Sequence, residues 1–180
     1  MSKITVLVGS PRKNGNTEIL ADAFIKGAEQ AGNEVTKIRL SERKVNGCIG
    51  CDYCTKNDGK CVQKDDMQAI YDTLYETDVI VLATPIYYFG ITAQLKAVID
   101  RFYPSLTKPF PATSAVFLTV YGDTSSTEAD MAIAHYRTIV SRGLGLKDGG
   151  VVTANGVLGR GDIANHKSLA EAEELGRSIG

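Results

Sequence analysis

Residues 4–17 read Ile4-Thr5-Val6-Leu7-Val8-Gly9-Ser10-Pro11-Arg12-Lys13-Asn14-Gly15-Asn16-Thr17. A short apolar, β-branched run closes on a glycine, a polar loop follows, and a helical pattern starts at once. Ile4–Val8 has the character of a strand buried on both faces. From Asn16 the apolar residues fall at Ile19, Leu20, Ala23, Phe24 and Ala28, which is helical spacing, and Gly32 stands where a helix C-terminal glycine belongs. The opening unit is therefore strand, loop, helix.

The unit recurs outward from there. Residues 34–40 suit a second strand, 78–84 a third, 112–121 a fourth and 149–154 a fifth. Helical patterns cover about 65–76, with Asp65 and Asp66 as its start, then 92–103, 127–143 and 163–178. Strands alternating with helices imply a parallel sheet covered on both faces. Right-handed crossovers make it doubly wound, and five strands suit the order 2-1-3-4-5 of the flavodoxin-like α/β class. One domain over residues 1–180 is expected. Ligands of such sheets lie at the carboxyl ends of strands 1 and 3, so the loops after Gly9 and Thr84 are the ones to read.

Composition narrows the function. The net charge is −1 with both signs interspersed, so no nucleic-acid or anionic-membrane partner is indicated. No apolar stretch has the length of a membrane span and residues 1–9 lack a signal-peptide pattern, so the expected compartment is the cytoplasm. Structural disulfides are uncommon there, and the four cysteines call for another explanation.

The loop after strand 1 reads as an anion site. A helix N-terminus offers unpaired N–H groups and partial positive charge. Ser10, Asn16 and Thr17 add side-chain donors, Arg12 a charge-assisted bond, and Gly15 lets the backbone turn closely around the anion, next to Asn14. Neither G-x-G-x-x-G nor a Walker lysine is present. The alternative is a plain polar turn with a helix cap.

Gly9-Ser10-Pro11-Arg12-x-x-Gly15-Asn16-Thr17 resembles the phosphate loop of the NAD(P)H-dependent FMN reductases of flavodoxin-like fold. Cys48-x-x-Cys51-x-x-Cys54 with Asp65-Asp66-Met67 resembles one branch, the iron–sulfur flavoproteins, and Pro85-x-Tyr87 followed by Lys96 and Asp100-Arg101 also fits. The matched motifs span residues 4–101, and beyond them the resemblance is one of topology. It implies FMN as cofactor, NAD(P)H as co-substrate, a 4Fe–4S cluster on the cysteines, and a dimer or larger homo-oligomer.

After strand 3 comes Pro85-Ile86-Tyr87-Tyr88-Phe89-Gly90. A flat, partly apolar isoalloxazine ring needs aromatic or apolar faces and a few backbone donors at its edge. This loop supplies three aromatics, with Gly90 for close backbone approach. The alternative is core or interface aromatics. Tyr121-Gly122 after strand 4 adds a weaker contact on the same edge. Lys96, Asp100 and Arg101 are ring-side or interface candidates by the resemblance, against a solvated face with a Lys96–Asp100 pair.

Cys48, Cys51, Cys54 and Cys61 lie in a polar loop over about 41–64, and loops of that length are usually functional. Their spacing lets thiolates converge on one cluster. Zinc, a redox-active dithiol, and four reduced cysteines with no ligand remain as alternatives. The leading functional reading is an oxidoreductase passing electrons from NAD(P)H, or through the cluster, to a small-molecule or protein acceptor. The rivals are a non-enzymatic flavodoxin-type electron carrier and a flavin-binding module without turnover. No side chain is needed as catalyst, because the flavin carries the chemistry.

Overall fold

The computed structural model describes residues 1–179. Five parallel strands, β1 (Lys3–Val8), β2 (Glu34–Arg39), β3 (Val79–Pro85), β4 (Ser114–Val120) and β5 (Lys147–Ala154), stand in the order 2-1-3-4-5. Five helices alternate with them: α1 (Asn16–Gln30), α2 (Met67–Leu74), α3 (Ala93–Asp100), α4 (Asp130–Thr138) and α5 (Ser168–Arg177). The expected architecture is the one observed.

The sheet divides two cores. Ile4, Val6, Val8, Val79, Val81, Val116 and Leu118 face α1 and α5, while Leu7, Ile80, Leu82 and Phe117 face α2, α3 and α4. Each central strand sends alternate residues to opposite faces, as the two-residue period requires. Both faces are covered, hence the unbroken apolar runs. α1 leaves β1 toward one face and α3 leaves β3 toward the other, so a crevice opens between the carboxyl ends of these two neighbours.

α1, which carries the first loop, is seated by an unusually close contact. Gly27 and Gly176 let α1 and α5 touch backbone to backbone: a Cβ on Gly27 would stand 1.8 Å from the Glu173 carbonyl oxygen.

Element ends differ from expectation where tertiary bonds intervene. Leu40 belongs to a 3₁₀ turn over Leu40–Glu42 rather than to β2. The third helical stretch stops at Asp100, and a separate 3₁₀ turn, Tyr103–Leu106, starts around Pro104. Past Thr138 the fourth widens into a π turn, Ile139–Leu144. The last is broken between a 3₁₀ turn at Asp162–Asn165 and α5, where His166 Nδ1 accepts the Ser168 backbone N–H and bonds the Ser168 hydroxyl. No helix among the described residues is long and apolar enough to cross a membrane.

Candidate functional site

The crevice is built from three strand-end loops. Ser10, Arg12, Asn16 and Thr17 after β1, Pro85, Ile86 and Tyr87 after β3, and Tyr121 and Gly122 after β4 line one cavity of about 80 Å³. A wider groove of about 350 Å³ adjoins it through the shared residues Ile86, Tyr121 and Gly122, and carries Tyr88 and Phe89. The first cavity is narrow and polar at its floor. The second is open and aromatic-rimmed.

At the floor, α1 begins without a side-chain cap. The first bond into the helix is Ile19 N–H to the Gly15 carbonyl, 3.0 Å, so the N–H groups of Asn16, Thr17 and Glu18 receive no backbone acceptor among the described residues. Asn16 and Thr17, at the positive end of the helix, line the narrow cavity. Ser10 Oγ accepts the Arg12 N–H at 3.2 Å and tightens the turn.

Two expected roles fall differently. Gly15 adopts an ordinary φ of −86°, and the positive φ of this turn is carried by Asn14, at 52°. Gly15 is small for another reason: a Cβ would come within 3.0 Å of Arg12 Cβ and 3.1 Å of the Arg12 carbonyl oxygen. The Asn16 amide is engaged by the loop after β5. Its Nδ2 donates to the Gly159 carbonyl at 2.8 Å and its Oδ1 accepts from Gly161 N–H at 3.0 Å. Arg12 Nη1 donates to the Leu158 carbonyl at 3.2 Å, so Arg12 reaches the same loop.

That fourth loop, residues 155–161, did not emerge from the sequence. Val157 and Leu158 close the cavity wall, Leu158 rests on Gly122, and Arg160 bonds the Lys13 carbonyl. The readable signal was the glycine run Gly156, Gly159, Gly161 just after a strand. Glu18 was missed as well. Its buried carboxylate accepts the Asn14 N–H at 2.7 Å and pairs with Lys37 and Arg39 on β2. Burial opposes ionisation of Glu18, but the Asn14 N–H, Lys37 and Arg39 outweigh it and hold the carboxyl below its usual range.

The β3 loop is a tight turn. Tyr87 and Gly90 exchange backbone bonds of 2.9 and 3.2 Å, and the central residues Tyr88 and Phe89 have φ of 48° and 66°. Left-handed backbone at two successive aromatics is strained, and such strain gathers at binding sites. Gly90, expected to supply the close approach, has no positive φ, and a Cβ on it would meet open space. Thr92 then caps α3 and donates its hydroxyl to the Gly9 carbonyl at 2.8 Å, tying this loop to the first.

Lys96 and Asp100 form the surface pair expected of a solvated face. Arg101 turns away from the ring groove into the interior, where it joins the cysteine loop.

The cysteines form a second centre. All four are free, and all four line one largely apolar cavity of about 260 Å³ with Tyr71, Arg101 and Pro104. Burial pushes the Cys54 thiol up, and the nearby Cys61 and Cys48 add to the rise. Among the described residues, no group of three or more His, Cys, Asp or Glu is drawn together closely enough to hold a metal ion.

A parallel sheet of this order, with an uncapped helix start and an aromatic-rimmed groove at its switch point, defines the flavodoxin-like class. The family NADPH-dependent FMN reductase matches residues 2–154, and the chain belongs to it. It is accordingly an FMN-dependent oxidoreductase. An iron–sulfur flavoprotein of Archaeoglobus fulgidus is 35% identical over 178 residues, 98% of this chain and 78% of the relative. Another, from Methanocaldococcus jannaschii, is 39% identical over 102 residues, 57% of this chain and 52% of that protein. The chain thus matches about half the length of some of these relatives. Two solved structures share the fold: an NAD(P)H:quinone oxidoreductase from Methanothermobacter marburgensis (TM-score 0.74, 18% identity, 98% of this chain and 94% of that one) and an azoreductase from Bacillus anthracis (TM-score 0.73, 18% identity, 98% and 99%).

Proposed function

We propose that the N–H groups of Asn16, Thr17 and Glu18, with Ser10, Arg12 and Thr17 side chains, hold the FMN phosphate, while residues 85–90 and Tyr121–Gly122 border the ring. The observation that carries this reading is the convergence of the strand-end loops on one narrow cavity lined by Asn16 and Thr17, whose N–H groups have no backbone acceptor among the described residues. The adjoining aromatic groove suits a flat ring. When bound, FMN supplies the hydride and electron chemistry, and the side chains bind, orient and exclude water. The electron donor in this reading is NAD(P)H, and the acceptor is a small molecule or a redox protein.

A 4Fe–4S cluster on Cys48, Cys51, Cys54 and Cys61 is part of the proposal. The common cavity supports it, as do the relatives called iron–sulfur flavoproteins. The protein is further proposed to act in the cytoplasm, as a single domain over residues 1–180, and as a homodimer or larger homo-oligomer. Exposed Tyr88, Phe89 and Leu106 are consistent with such assembly.

The test is anaerobic purification with an absorption spectrum, flavin, iron and sulfide analysis, and NADH and NADPH oxidation assays. Bound FMN with steady turnover is expected. Bound FMN without pyridine-nucleotide oxidation would return the reading to a non-enzymatic carrier, and light scattering decides the oligomeric state.

A further inference from the structure

The crevice at the carboxyl end of the sheet is polarised. Arg12 lines the narrow cavity at the start of α1, and the carboxylates of Asp123 and Glu128 line the wide groove beside it. Among the described residues, no lysine, arginine or histidine lines that groove. Neither carboxylate is in an ion pair among the described residues, although most of the protein's buried or half-buried carboxylates near a cation are. Asp123 is braced where it stands: its Oδ1 accepts the Ser125 N–H at 2.6 Å and its carbonyl accepts the Gly156 N–H at 2.8 Å. The charge is felt at the groove wall. Burial pushes the Tyr121 hydroxyl up, a bond with the Thr153 side chain opposes this, and Asp130, Asp123 and Glu128 add to the rise.

The same groove carries two exposed aromatics. Tyr88 is 98% exposed and Phe89 57%. Their rings meet edge to face, with centroids 5.7 Å apart and planes at 67°. The left-handed backbone of both residues holds them in the tight turn after β3. Aromatic faces are negative and attract a cation placed over them. Uncompensated carboxylates do the same and repel an anion. Flat apolar faces and one sign of charge thus occupy one groove. An occupant that satisfies both is flat, aromatic and positively charged.

We propose that the wide groove binds a planar aromatic cation, of the pyridinium or phenothiazinium kind, packed against Tyr88 and Phe89 and paired with Asp123 and Glu128. The inference rests on the flavin reading given above, with the ring bordered by residues 85–90 and Tyr121–Gly122, and it names the charge of the molecule that meets that ring. Planar anions are turned away by the same two carboxylates, so the groove discriminates by repulsion as well as by attraction.

The test is equilibrium dialysis of the full chain, loaded with oxidised FMN, against two flat three-ring dyes of similar size. Cationic thionine and anionic resorufin are compared in mildly alkaline buffer at low salt, with no reductant present. Thionine is expected to bind at least about tenfold more tightly, a preference that shrinks as salt is added. D123N/E128Q keeps the side-chain shapes and removes both charges; bound FMN reports that it is folded, and its preference is expected to fall below about threefold. D72N removes a carboxylate from a cavity at the amino ends of β1 and β2 and is expected to keep the full preference. Y88A is expected to weaken thionine binding. Equal binding of the two dyes by the wild type overturns the proposal. So does a preference that survives in D123N/E128Q, or one that falls as far in D72N. Thionine that binds only flavin-free protein and is displaced by FMN overturns the proposal and leaves the flavin reading standing. Protein that takes up no FMN overturns the flavin reading instead, and the dye preference of the flavin-free chain and its D123N/E128Q variant then decides the groove alone.

Discussion

Asn16→Ala separates two roles that the sequence alone confuses. If the Asn16 amide serves only the cofactor phosphate, its loss leaves the flavin-free protein as stable as before. The structure assigns it two bonds to the loop after β5, to the Gly159 carbonyl and from Gly161 N–H, at a residue only 7% exposed. Each such bond contributes about 1 kcal/mol net, so truncation removes about 2 kcal/mol. Alanine regains at most about 0.7 kcal/mol of helix propensity at the start of α1. The net loss of about 1.3 kcal/mol lowers the melting temperature of flavin-free protein by about 3–5 °C in a chain of this size. Because the freed loop also carries the Leu158 carbonyl that Arg12 engages, FMN affinity falls as well, by roughly tenfold. Urea or thermal unfolding of the flavin-free variant measures the first effect and a flavin titration the second. Unchanged flavin-free stability with lost affinity would refute the brace and restore Asn16 to the phosphate.

Arg12→Ala and Thr17→Ala are each expected to weaken FMN binding by about 1–3 kcal/mol through loss of a hydrogen bond to a charged group; equal titration curves for both variants and wild type place the phosphate elsewhere. Gly27→Ala drives a methyl group against the Glu173 carbonyl at 1.8 Å, and about 1–3 kcal/mol of destabilisation is expected in urea unfolding. A variant as stable as the parent would show that α1 and α5 part freely. Glu18 has a folded-state pKa below its unfolded value of about 4.3, so the unfolded chain takes up the proton first as the pH falls. Its contribution is whole above that value and is lost as the pH falls from there through the depressed folded-state pKa. Glu18→Gln flattens this acid limb of the stability profile, and parallel limbs in the two proteins would remove Glu18 from the network.

Much was legible because it is local or periodic. Ile4–Val8 and Val79–Thr84 are apolar on both faces apart from Thr5 and Thr84, a pattern of strands covered on both sides. The alternation with helices then leaves few topologies, and the switch point follows from chain order. The residues of the loop after β1, of 85–90 and of Tyr121–Gly122 could be named as crevice residues because they immediately follow strands, whose ends the parallel sheet aligns. The four cysteines could be grouped from spacing alone.

What the tertiary structure decided was pairing across long separations. Asn16 faces Gly159 and Gly161, more than 140 residues away, and no periodicity announces a bond of that kind. Which residue of a turn takes the left-handed backbone was also a tertiary matter: Asn14, Tyr88 and Phe89 do so, not Gly15 or Gly90. Propensity favours glycine there, and packing overrides it. Arg101 read as one more charge on a helix beside Asp100. Its burial with Asp65, beside the cysteine cavity rather than the aromatic groove, exists only because α3 ends where residues 46–65 fold back over it. A charge can be read from sequence, but the partner that sets its role is fixed by the fold that brings the two together.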